Sequence, residues 1–317
     1  MLLFLLSLFG SIDGNSQTVL ISPTGDGGFE NGATFTANGW SVSNYVNNPW
    51  IVGSYANGAI TGNAAFVSNN GTTPTYDNTL TCSNYFWRDV TVPAGQSKIK
   101  LNFNWIANGE STWDLWQVFV APTSVTPVGG AHPGSGATLV PAAITGATWV
   151  ANGNLQTTVQ SAEVFLPTNL AGTTFRLIFH WKSDTSTGNP LPAVIDNISL
   201  VSSAPGNYVT IASGNWGDAA IWDSGIVPTM LDSATITAGH AVTINATGQM
   251  VNNLTVNGTL GYTATPTSFG VNGNLTVGND GFINVFSGTT GKTLTLAGNV
   301  TNNGNINVSV GTGAAGN

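Results

Sequence analysis

The chain has 317 residues, of which 41% are hydrophobic and 6% charged, with 40 Gly, 10 Trp and 14 Phe. So apolar and aromatic a composition is not that of a disordered chain, and a net charge of −8 with only six basic residues makes nucleic acid a poor partner. β-Branched residues, Gly and Asn abound without any long i, i+3, i+4, i+7 pattern, which predicts an all-β fold with many tight turns.

The N-terminus reads MLLFLLSLFGSIDGNSQ. Leu2 to Phe9 form an apolar run too short to cross a bilayer, and Gly14 and Ser16 put small residues just before a cleavage point at Gln17. This predicts a signal peptide over 1–16 and a secreted or cell-surface protein. No later apolar stretch approaches the roughly 18 residues of a membrane-spanning helix.

Residues 17–203 hold five of the six basic residues and most of the Trp. Strands are predicted over 40–42, 64–67, 85–92, 98–105, 114–121, 157–165, 174–182 and 194–201. In KIKLNFNW (98–105), Ile99, Leu101, Phe103 and Trp105 face one way; Lys98, Lys100, Asn102 and Asn104 face the other. In TFRLIFHWK (174–182), Phe175, Leu177, Phe179 and Trp181 oppose Arg176, Ile178, His180 and Lys182. A period of two marks antiparallel strands with one wet side. DLWQVFVA (114–121) is apolar on both faces and reads as a central strand. Together these predict a jelly-roll β-sandwich. Within PAVIDNISLV (192–201), Asp196 interrupts an otherwise apolar strand. A lone buried carboxylate is costly unless it is paired, hydrogen-bonded or on a metal.

Residues 204–212 read as a linker, and the pattern then changes. Short phrases separated by Asn and Gly follow: NLTVNGTL (253–260), FGVNGNLTV (269–277), GFINV (281–285), LTLAGNV (294–300) and GNINV (304–308). Val256-Asn257-Gly258, Val271-Asn272-Gly273 and Leu296-Ala297-Gly298 align at offsets of 15 and 25 residues, and Gly-x-Ile-Asn-Val recurs at 281 and 304. This predicts a β-solenoid, a right-handed β-helix, over 213–317. Its end, GTGAAGN, has no polar cap over the last strand edges, so the solenoid is expected to continue in a longer chain.

Four phrases carry a resemblance: GFENG (28–32), YFWRDVTVPAG (85–95), GESTWDLWQVF (109–119) and FHWKSDTSTGNPLPAVIDNISL (179–200). In these the first half resembles the jelly-roll modules of secreted Bacteroidetes-type proteins, similar in pattern to MAM and cleaved-adhesin domains. The resemblance implies a binding or adhesive role rather than catalysis. SGNWGDAAIWDSGIVPTMLDSATITAGHAVTI (213–244), marked by Trp216, Trp222, Pro228, Asp232 and Gly239, is similar to G8-like β-helical modules. Those imply an extracellular setting and no assigned chemistry.

The resemblance also gives Asp196 a role. Opening and closing strands of such jelly rolls lie side by side, which brings Glu30 towards Asp196. Two close carboxylates repel unless a cation sits between them, and calcium takes six to eight oxygens. Glu30 and Asp196 are therefore expected to ligate a structural Ca2+, with Asp26 and Asp77 as further candidates. The other reading has Asp196 capping a turn or accepting backbone N–H groups without a metal.

Other chemistry finds little support. Glu110 and Asp114 form the nearest carboxylate pair, in a predicted turn and at the next strand's start. His132, His180 and His240 are scattered, and no nucleophile elbow or phosphate loop occurs. Asp218, Asp223 and Asp232 precede the solenoid, whose half holds one Lys, Lys292, and no Arg to serve a lyase. The single Cys82 can make neither an internal disulfide nor a zinc site alone. Arg176, His180, Lys182, Lys98 and Lys100 share the predicted wet side, either as a dock for an acidic glycan or as a solvated face. Trp50, Trp113 and Trp116 either stack on sugar rings or belong to the core.

The leading expectation is a secreted, non-catalytic adhesin or binding protein. Its jelly roll binds a glycan or a protein, and its solenoid is a stalk. The alternative is the N-terminal part of a polysaccharide-degrading enzyme, with the jelly roll as accessory carbohydrate-binding module. An ice-binding solenoid is disfavoured by the uneven offsets.

Overall fold

A computed structural model describes residues 17–186, 188–263, 268–285 and 292–307; the stretch read as a signal peptide lies outside them. The chain divides into two compact units, with the boundary in sequence between Ala204 and Pro205. Among the described residues no helix is long and apolar enough to cross a membrane.

The first unit is a β-sandwich. Its strands are β1 (Thr18–Ile21), β2 (Ser41–Ser43), β3 (Trp50–Ser54), β4 (Asn63–Val67), β5 (Cys82–Thr91), β6 (Lys98–Ala107), β7 (Leu115–Pro122), β8 (Thr148–Gly153), β9 (Gln156–Phe165), β10 (Thr174–Ser183) and β11 (Val194–Ser203). One sheet runs β3-β4-β11-β6-β9, with β1 also on β11; the other runs β2-β5-β10-β7-β8. All pairings in both sheets are antiparallel. The alternation predicted for 98–105 and 174–182 holds: Leu101, Phe103, Phe175, Leu177, Phe179 and Trp181 meet in the core between the sheets. Phe86 stacks flat on Phe179 and takes Trp50 edge-on. Burial of such aromatics is the main stabilising term, at roughly 1.5–3 kcal/mol for each large apolar side chain.

The outer faces hold the first departures from the sequence reading. The outer side of the β2-to-β8 sheet is not wet. The connection 123–147 folds back over it, and Ile144, Val125 and Ala147 pack on Tyr85, Phe119, Ala121 and Ile178. A smaller cover lies on the other sheet, where Tyr55 and Ile60 pack on Phe66, Ile106 and Val194.

The second unit is a β-solenoid. Its strands are β12 (Asn207–Val209), β13 (Gly214–Asn215), β14 (Ser233–Ile236), β15 (Ala241–Ile244), β16 (Gln249–Val251), β17 (Asn253–Val256), β18 (Thr259–Tyr262), β19 (Ser268–Val271), β20 (Leu275–Val277), β21 (Phe282–Asn284), β22 (Thr293–Leu296), β23 (Val300–Asn302) and β24 (Asn305–Asn307). They stack in parallel into three sheets, β12-β14-β17-β20-β23, β13-β15-β18-β21-β24 and β16-β19-β22. The stretch read as a linker is therefore corrected: Asn207–Val209 pairs with β14 and opens the first rung.

The repeat register is partly corrected as well. Val271 stacks on Leu296, as the offset of 25 expected, and Ile283 stacks on Ile306, as the Gly-x-Ile-Asn recurrence expected. Val256 instead stacks on Val277, in a different sheet from Val271. The two phrases belong to one rung, in which two of the three sheets end a strand in the same Val-Asn-Gly corner. Inside the coil Trp216 packs edge-on against Trp222 and Phe269. The buried Asp232 carboxylate accepts Gly206 N–H, Thr229 N–H and the Thr229 hydroxyl, so it fastens the first turn.

Candidate functional site

Two carboxylate sites emerge in the sandwich, and the backbone explains both. The first lies where β11 leaves its ladder. The register with β6 shifts between Asp196 and Ser199, and Asn197 takes a left-handed φ of 54°. On its other edge β11 pairs with β4 at Val194 and Ile195 and with β1 from Leu200 onward. The loop before Glu30 fills the gap between them, and Ile198 N–H donates to the Gly27 carbonyl. Only glycine fits there, because a Cβ on Gly27 would sit 1.8 Å from the Ile198 carbonyl oxygen.

This brings Glu30 and Asp196 together. Glu30 Oε1 accepts Asn63 N–H at 3.0 Å. Asp196 is fully buried, and neither carboxylate oxygen has a hydrogen-bond partner. The Thr61 and Asn197 N–H groups act on it electrostatically but fall short of hydrogen-bond geometry. Burial, with Glu30 adding to it, pushes its carboxyl up to about 7. An orphaned, buried carboxylate beside a second one is a donor set suited to a hard cation.

The other two expected ligands are elsewhere in purpose. Asp26 pairs with Arg88 at 2.6 Å and accepts the Asn31 amide at 2.8 Å. Asp77 caps its own turn by accepting Thr79 N–H and hydroxyl, which hold its carboxyl below the usual range.

The second site is at the loop end of the sandwich. Glu110 and Asp114 exchange backbone hydrogen bonds across a tight turn between β6 and β7. Asp114 is fully buried; its Oδ2 accepts the Tyr76 hydroxyl at 2.7 Å and its Oδ1 accepts Asp184 N–H at 2.9 Å. Oxygens of Glu110, Asp114 and Asp184 lie within 4.8 Å of one another. Burial pushes the Asp114 carboxyl up to about 6, against the pull of its hydrogen bonds. The turn between them carries Trp113, which is 37% exposed, while the other nine Trp are buried or half-buried. Its ring lies tilted on His132, with centroids 5.6 Å apart. His132 Nδ1 accepts Gly134 N–H, so Nε2 carries the proton and donates to the Trp113 carbonyl. Burial lowers the His132 pKa, which favours this neutral form.

The remaining expected ligand-binding residues are corrected. Trp50 and Trp116 are core residues. Arg176, His180 and Lys182 are buried, because 123–147 covers their face and each head group is spent on it or on a neighbour. Arg176 forks onto Asp89 at 2.7 and 2.9 Å and donates to the Val125 carbonyl. His180 lies between Ser83 and Gln117, stacked on Tyr85, and Gln117 in turn donates to the Ala137 and Leu139 carbonyls. Lys182 Nζ donates to the Gly134 and Gly136 carbonyls, and burial lowers its pKa to about 8. Lys98 and Lys100 lie on the other sheet, and Lys100 pairs with the exposed Glu163. The five basic residues therefore form no common face. The apolar Ile178, Phe119 and Ala121 on that supposedly wet side were the signal that it is covered.

Asp184, Tyr76 and His132 were missed as site members. They lie 70, 38 and 19 residues from their partners, and no local spacing links them.

No known protein family and no curated protein matches the sequence. Solved structures do align. The carbohydrate-binding module TmCBM61, solved with β-1,4-galactotriose, is 13% identical over 56% of this chain and 97% of its own, with a TM-score of 0.34. A cleaved adhesin domain of Lys-gingipain from Porphyromonas gingivalis is 17% identical over 58% and 97%, with a TM-score of 0.35. The mannan-recognising module TmCBM27 is 12% identical over 59% and 95%, with a TM-score of 0.29.

Proposed function

We propose that this is an exported, non-catalytic binding protein whose jelly roll takes a glycan at the Trp113 end. One observation carries the reading: Trp113 is exposed, held on His132, and set beside a group of carboxylates. The C–H face of a sugar ring lies on the indole, while the half-buried Asp184 carboxylate accepts its hydroxyl protons. Glu30 and Asp196 hold a calcium ion that ties the opening segment to β11; the orphaned Asp196 oxygens support this. The solenoid is a stalk, in keeping with its parallel strands stacked rung on rung.

A glycan array probed with the full chain tests the reading. Binding is expected for the wild type, and Trp113→Ala is expected to weaken it at least tenfold, equivalent to about 1.4 kcal/mol. Undiminished binding by Trp113→Ala would move the site elsewhere. Absence of binding by the wild type, in calcium and in EDTA alike, would overturn the glycan reading.

A further inference from the structure

We infer that Glu110, Asp114 and Asp184 form a second divalent-cation site, separate from the Glu30–Asp196 pair. Three carboxylates come within 4.8 Å of one another there. Glu110 Oε2 is shut off from solvent, and no group among the described residues donates to it. Asp114 is fully buried and Asp184 half-buried. Like charges this close cannot all persist unless protons or a cation compensate them.

The donors among the described residues do not suffice. Tyr76 and the Asp184 N–H each serve one Asp114 oxygen, which leaves Glu110 Oε2 without a partner. The nearby ammonium of Lys182 is attracted by Asp114 and Asp184, but its hydrogen bonds go to the Gly134 and Gly136 carbonyls. Backbone shape also keeps the cradle open. A Cβ on Gly188 would lie 2.4 Å from Asp114 Oδ2 and 2.1 Å from the Tyr76 oxygen, so a side chain at 188 would fill it.

The chemical class follows from the donors. All are oxygens, with no His or Cys among the three, which selects a hard cation. They come from a tight turn and a loop rather than an octahedral frame. Calcium tolerates such irregular coordination, whereas magnesium requires near-ideal geometry. The inference stands whether or not Trp113 binds a glycan.

Calorimetric titration of the EDTA-stripped full chain with calcium chloride decides it. The wild type is expected to take up two equivalents. Glu110→Gln and Asp184→Asn are each expected to lose one and to keep the one that Asp196→Asn abolishes. Near-UV circular dichroism identifies any variant that has lost its fold, and two separate substitutions guard against that. The site is overturned if the wild type takes up no calcium. It is equally overturned if both folded variants retain the wild-type stoichiometry. A single wild-type equivalent, removed by Glu110→Gln but not by Asp196→Asn, would support this site and refute the other.

Discussion

In EDTA at pH 8, Asp196→Asn melts at a higher temperature than the wild type. The carboxyl of Asp196 stays protonated up to about pH 7 in the fold, against an ordinary value of 3.8. Between these two values the folded protein holds more protons than the unfolded chain. Stability contributed through this group is therefore present below about pH 4 and lost as pH rises towards and past 7. The loss reaches roughly 4 kcal/mol at pH 8, and the uncharged Asn does not incur it. For a unit the size of Gln17–Ala204, that corresponds to a shift on the order of 10 °C. At pH 4 the two proteins converge. Calcium at about 1,000 times its dissociation constant restores about 4 kcal/mol to the wild type. The calcium response of Asp196→Asn is smaller by that amount, so the gap closes. Differential scanning calorimetry in the two buffers reads all of this. A lower melting temperature for the variant in EDTA would mean that the fold itself satisfies the carboxylate, and the calcium reading would fail.

Trp216→Ala produces the second large effect. Trp216 fills the first rungs of the solenoid, with ring centroids 5.0 Å from Trp222 and 4.6 Å from Phe269. Its carbonyl also accepts the Trp222 indole N–H at 3.1 Å. Emptying such a position costs about 3–5 kcal/mol, a large part of a total that is typically about 5–15 kcal/mol. The neighbours cannot collapse into the gap, because each rung is pinned by ladders to the next. The solenoid transition is expected to fall by more than about 10 °C. The sandwich transition, in the unit with its own core, is expected to stay in place. A uniform shift of both transitions would show that the two units unfold as one.

The sequence was informative wherever local pattern decides structure. Period-two alternation at 98–105 and 174–182 marks the inward residues correctly, because successive side chains on a strand must point to opposite faces. Short Asn/Gly-cornered phrases mark the solenoid. The interruption at Asp196 marks a carboxylate that needs compensation, because a buried carboxylate does not sit in an apolar strand without cause. The same logic misassigned Arg176, His180 and Lys182. Alternation says that two faces differ, but not what covers the polar one.

Only the tertiary structure decides the rest. The return of 123–147 over a sheet face, and the choice of Val277 rather than Val271 as the partner of Val256, depend on chain segments that meet far from their sequence neighbours. Asp184 reaches Asp114 across 70 residues because β7 and β10 are adjacent strands, so their ends and the loops beyond them come together. By itself the sequence determined which residues are inward on the strands that alternate, 98–105 and 174–182, since that needs only the pleat. It could not determine which residues share a site, since that depends on the order of strands in a sheet, and antiparallel pairing places partners by topology rather than by spacing along the chain.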